Sequence, residues 1–156
     1  MADQVPGTGH RPGERALPTT VAEARARVSE HILTAFPALE GGTPEPGTQG
    51  LAEALLVTSE LVTNAIRHGG GLTGFDIVMT EDGVVLNVAD SDPQPPVTTD
   101  PATRAPGQPG GFGWPLVCRL AQHVTLTPRP DGKEITVLVP LTAPAAGPPT
   151  GPRPAG

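Results

Sequence analysis

The sequence predicts an α+β domain: a two-layer α/β sandwich whose sheet is mixed but mostly antiparallel, with helices on one face. Three observations carry this. Two segments of helical period come first, followed by two strand signals, a long irregular stretch, a short helix and two more strands. Each strand pair is joined by a tight turn, which makes its members antiparallel neighbours. The apolar residues of each helix fall on one stripe, so each has a single side to bury against a sheet. Strict strand–helix–strand alternation is absent, which argues against a Rossmann fold.

The elements follow in order. Residues 20–35 read as a helix, with Thr19 or Thr20 as N-cap, Glu23 close behind, and Val21, Ala24, Val28 and Ile32 as its stripe. Residues 48–68 form the strongest helix. Thr48 is placed to cap it, and Gly69, Gly70 and Gly71 stop it. Its expected apolar face is Leu51, Leu55, Val62 and Ile66, widened by Ala52, Leu56 and Leu61. Residues 74–80 alternate, with Phe75, Ile77 and Met79 on one side, and 84–88 are an apolar β-branched run. Glu81, Asp82 and Gly83 supply the turn between them. Residues 90–113 lack periodicity and are rich in Pro, Gly, Thr and Asp, the composition of a lid or binding loop. A short helix over 113–122, a strand over 123–128, a turn over 129–133 and a strand over 134–141 complete the domain. Residues 1–18 and 142–156 hold almost no large apolar side chains and are expected to stay disordered.

The bulk numbers exclude several classes. The formal net charge is −6, and the 10 basic residues form no run, so there is no electrostatic footprint for nucleic acid. No stretch of about twenty apolar residues is available to span a membrane, and residues 1–14 lack the apolar core of a signal peptide. The single cysteine, Cys118, cannot form an intramolecular disulfide, and it reads as a small core residue of the short helix. A cytoplasmic protein is expected. The aromatic residues are Phe36, Phe75, Phe112 and Trp114, so Val, Leu, Ile and Ala must fill the core. Trp114 is expected to pack beneath the irregular loop, and His31 to lie at the surface.

Four clusters carry chemistry. Glu60, Asn64, Arg67 and His68 share one stripe of the long helix at three- and four-residue spacing. An amide oxygen can hold Mg²⁺ when phosphates complete its shell. A carboxylate can orient or deprotonate a hydroxyl, and a guanidinium suits phosphate oxygens. The same pattern also suits a solvated helix face. Asp90, Ser91, Asp92 and Pro93 follow an apolar strand, where a carboxylate can accept from an exocyclic amine or simply start a turn. Gly110, Gly111, Phe112 and Gly113 precede a helix, as in phosphate-cradling loops and also in linkers. Asp131, Gly132 and Lys133 alone are a hairpin turn. There is no Walker A sequence.

In order and spacing these clusters resemble the GHKL ATPase superfamily. Residues 59–69, SELVTNAIRHG, resemble its N box, 88–93, VADSDP, its G1 box, and 111–117, GFGWPLV, its G2 box. Gly132 and Lys133 lie where the final motif, G3, begins. The resemblance spans about residues 20–141 and is nearest to bacterial anti-sigma-factor serine/threonine kinases. It implies a Bergerat-type sandwich and ATP with Mg²⁺ as cofactors. Asn64 would be the metal ligand and Glu60 the catalytic base. Arg67 and His68 would face the phosphates, and Asp90 would take the adenine amine. Gly111 and Gly113 would let a lid over about 91–112 approach the phosphates.

The implied activity is transfer of the ATP γ-phosphate to Ser or Thr of an anti-anti-sigma protein, with a sigma factor as second partner. Relatives are often dimers, so a homodimer is within the expectation. Phe112 and Pro115 depart from the family pattern. Glu134 stands where a threonine near the adenine is usual, with Thr136 as its substitute on the same strand face. These departures keep open an ATP-binding regulatory module without efficient transfer. A phosphoacceptor-histidine helix is missing, since His10, His31 and His123 have no fitting context.

Overall fold

The computed structural model describes residues 15–36, 46–96 and 113–141. The tails over 1–14 and 142–156, the linker over 37–45 and most of the expected lid, including Gly111 and Phe112, lie outside the described residues.

Helix α1, Val21–Ala35, starts where its capping chemistry dictates. Thr20 is extended and its hydroxyl accepts the Glu23 N–H at 3.1 Å. Glu23 returns the bond one residue further out, its Oε2 accepting the Thr19 N–H at 2.9 Å and hydroxyl at 3.1 Å. Both satisfy amide groups that a helix start leaves open. The helix buries Ala24, Val28 and Ile32, the expected stripe apart from Val21.

Helix α2, Pro46–Arg67, begins two residues before the expected cap at Thr48. Proline suits a first helical position, because its missing N–H would have no partner there anyway. The buried stripe is Ala54, Val57, Thr58, Leu61, Val62 and Ala65. This corrects the expected face: Ile66 and Leu56 are 43% and 39% exposed, and Ala52 is exposed as well. At 100° per residue the stripe through 54, 58, 61 and 65 turns Ile66 outward. Thr58 is tolerated in the interior because its hydroxyl donates to the Ala54 carbonyl at 2.7 Å. Gly70 and Gly71, with φ of 73° and 109°, end the helix. The Gly71 N–H turns back to the Ala65 carbonyl at 2.9 Å.

Strands β1, Leu72–Thr80, and β2, Gly83–Asp90, form one hairpin; β3, His123–Arg129, and β4, Gly132–Val139, form the other. The sheet order is β1-β2-β4-β3, and β2 meets β4 antiparallel. The expected mixed sheet is therefore antiparallel at all three described pairings, because each hairpin inserts its second strand next to the other's. Helix α3, Gly113–Leu120, lies between the hairpins in sequence and packs on α2.

Register fixes the faces. Val84 pairs with Val139, Leu86 with Val137 and Val88 with Ile135. All six are buried together with residues of α1 and α2 and Val117 of α3. Phe75, Ile77 and Met79 extend this face at one edge and Val124 at the other. Trp114 packs partly buried against the same cluster. Cys118, by contrast, is exposed, because Val117 takes the inward position of the short helix. His31 is half-buried, with its Nδ1 2.8 Å from the Arg27 carbonyl. No described helix is long and apolar enough to cross a membrane.

The Glu23 carboxyl is held below the usual glutamate range by the Thr19 N–H, then by its hydrogen bonds to Arg27 and the Thr19 hydroxyl. A lowered folded value gives stability that is present above the ordinary value and lost as pH falls through the lowered one. Glu23→Gln is therefore expected to melt below the natural chain at neutral pH, with the gap closing as the solution is acidified. A gap in melting temperature that ignores pH would contradict this assignment.

Candidate functional site

The site forms where the C-terminal turn of α2 meets the end of β2. Asp90 is the last residue of β2 and continues the inward face of Leu86 and Val88, so its carboxylate emerges at the rim of the core, only 6% exposed. Gly69 comes directly against it. A Cβ at position 69 would lie 2.6 Å from both Asp90 Cγ and Oδ2, too close for any side chain. The Gly69 carbonyl accepts the Ser91 N–H at 3.0 Å and the Ser91 hydroxyl at 2.9 Å. The Gly69 N–H reaches back to the Asn64 carbonyl at 3.0 Å. One glycine thus links the turn that holds Asn64 to the strand end that holds Asp90.

Glu60 and Asn64 are half-buried on the flank of α2, and Arg67 and His68 are exposed at its last turn. Glu60 reaches the start of α3. A Cβ on Gly113 would collide with Glu60 Oε2 and sit 3.4 Å from Glu60 Cδ. The Glu60 carboxylate thus lies against the first residue of α3, and a helix start favours a nearby carboxylate electrostatically. The end of the long helix therefore meets Asp90 at Gly69, and Glu60 on its flank meets Gly113. Gly111 lies outside the described residues.

Sequence reasoning missed Lys133. It pairs directly with Asp90 across β2 and β4. Its Nζ donates to Asp90 Oδ1 at 2.9 Å and to the Asp92 carbonyl at 2.9 Å, with both charged side chains nearly buried, 7% and 6% exposed. The Asp92 N–H donates to the same Oδ1 at 3.0 Å. Oδ1 thus holds two protein donors, while Oδ2 faces Gly69 with none among the described residues. Alternation held the signal: Lys133, Ile135, Val137 and Val139 are two apart and so share one face. Reading residues 131–133 only as a turn hid it.

The same alternation puts Glu134 and Thr136 together on one face, as expected from the sequence, but on the face opposite Lys133. Both lie on the outer face of the sheet, away from Asp90. Glu134 pairs there with Arg129 at 2.8 Å, and the Thr136 hydroxyl donates to Asn87 Oδ1 at 2.7 Å.

Asp90 Oδ2 offers an acceptor for an amine, and Asn64 offers an amide oxygen. No three His, Cys, Asp or Glu residues cluster as a self-contained metal centre among the described residues. A divalent ion at Asn64 would then need phosphate oxygens and water to complete its shell.

The sandwich thus joins the end of α2 to Asp90 and its flank to the start of α3. Residues 15–139 match the family model of the histidine kinase-like ATPase domain, and the chain belongs to that family. Membership supports ATP binding. No curated protein matches the chain.

Breaking a buried pair strands a charge, which typically costs about 3–5 kcal/mol. Lys133→Ala is expected to lose stability on this scale in urea unfolding. Asp90→Asn combined with Lys133→Met should recover most of the loss. A single-variant loss below about 1 kcal/mol would mean that the pair behaves as a solvated one.

Proposed function

We propose that the protein is an ATP-dependent serine/threonine protein kinase of the anti-sigma type, acting on an anti-anti-sigma protein and regulating a sigma factor. The observation that supports this best is the meeting, through Gly69, of the SELVTNAIRHG helix with the buried carboxylate of Asp90. Asp90 Oδ2 accepts the adenine amine. Asn64 ligates Mg²⁺, and Arg67 and His68 face the phosphates. Gly113, with Gly111 before it, lets the lid come close to them.

In the transfer, the acceptor hydroxyl oxygen forms a bond to the γ-phosphorus as the bond to the β,γ-bridging oxygen breaks. ADP leaves, and Glu60 takes the hydroxyl proton. Most of the rate gain in such reactions comes from positioning and charge stabilisation, which is why residues on rigid helix and strand ends suit it. A cytoplasmic location and a homodimer belong to the same reading.

A second reading is an ATP-binding regulatory module without efficient transfer. Pro115 in the first turn of α3 and the outward-facing Glu134 favour it. Labelled ATP incubated with the protein and candidate anti-anti-sigma proteins separates the two. Label on an acceptor serine or threonine supports the kinase, and tight ATP binding with no transfer supports the module.

Asn64→Ala is expected to abolish Mg²⁺-dependent nucleotide binding in calorimetric titration while leaving the fold intact by circular dichroism. Binding at natural strength would remove Asn64 from the metal role. Asp90→Asn should weaken adenine nucleotides tenfold or more, in the range of a hydrogen bond to a charged group. Unchanged affinity would take Asp90 out of base recognition.

A further inference from the structure

Lys133 carries a donor that the fold does not use. A lysine ammonium has three N–H groups. Two go to Asp90 Oδ1 and the Asp92 carbonyl. The side chain is 93% buried by its 7% exposure, so water gives the third little relief, and no acceptor meets it among the described residues. Buried polar groups are normally satisfied, and an exception asks for a ligand or a water. Next to it, Asp90 Oδ2 is an acceptor with no protein donor among the described residues. The ion pair therefore leaves one carboxylate oxygen without a donor and one ammonium N–H without an acceptor among the described residues, next to Gly69, which adds no side chain.

We propose that Asp90 and Lys133 read the base together, an inference that rests on the ATP-binding reading above. Asp90 Oδ2 accepts from the exocyclic amine, and Lys133 Nζ donates to the adjacent ring nitrogen. Adenine presents that combination, an amine at C6 beside the unprotonated N1. The matching edge of guanine presents a carbonyl oxygen beside an N–H, which would set an oxygen against the carboxylate and a proton against the ammonium. Lys133 is thus a specificity-determining residue as well as a strut. Its bond to the Asp92 carbonyl also ties down the chain leaving β2.

The test compares ATP with 1-deaza-ATP, which keeps the amine and triphosphate but replaces N1 by C–H. Both are titrated into the full chain with Mg²⁺ by calorimetry. The natural chain is expected to bind 1-deaza-ATP roughly tenfold to a hundredfold more weakly, the range of a hydrogen bond to a charged donor. Lys133→Met should bind the two nucleotides equally. Where that variant does not fold, Asp90→Asn with Lys133→Met takes its place, since it leaves no unpaired charge and is expected to give the same equality. Equal binding of both nucleotides by the natural chain overturns the proposal without any variant. A Met variant that keeps the full discrimination overturns it too, and leaves Lys133 a purely structural role. If the natural chain binds neither nucleotide, the ATP reading itself fails, and that result is distinct from the other two.

Discussion

The approach of the α2 C-terminal turn to the end of β2 governs the geometry of the whole site. Gly69 stands closer to Asp90 than any Cβ allows, and its carbonyl takes two hydrogen bonds from Ser91. That contact fixes the rotation and depth of the long helix against the sheet. It therefore also sets where Glu60 and Asn64 sit on the flank, since a helix transmits position along its length with little play. A softer contact, Gly113 against the tip of Glu60, brings α3 to the same helix.

The ion pair at the rim has a different character. A buried pair of charges gives up hydration that its own attraction only partly repays, so it is a poor device for stability alone. Lys133 and Asp90 are directly opposed in the ladder, and the Asp92 backbone adds a donor to one and an acceptor to the other. What the arrangement does give is orientation: one carboxylate oxygen is held by two donors while the other lies against Gly69.

Much of this was legible in the sequence, for identifiable reasons. The α1 stripe of Ala24, Val28 and Ile32, the cap at Thr20 and both hairpins follow from short-range chemistry, and the structure has them. The α2 face was rotated in the reading because large residues were weighted over small ones. Ala54, Thr58 and Ala65 are buried where α2 lies close to its neighbours, and Ile66 is turned out. The motifs single out Asp90 and the long-helix cluster as candidates, but no motif pairs Lys133 with Asp90. Their contact spans 43 residues of sequence, and it exists only because β2 and β4 are neighbours, a long-range fact that no local pattern encodes. Cys118 was misplaced for a simpler reason: a helix of eight residues has room for few inward positions, and Val117 holds one.

The outward turn of Cys118 has a practical consequence. It is the chain's one thiol, and it stands exposed on the helix whose first residue touches Glu60. A fluorophore coupled there would occupy a single defined position without competing thiols to block. Its emission would report how α3 shifts against α2 while the rest of the molecule stays chemically untouched.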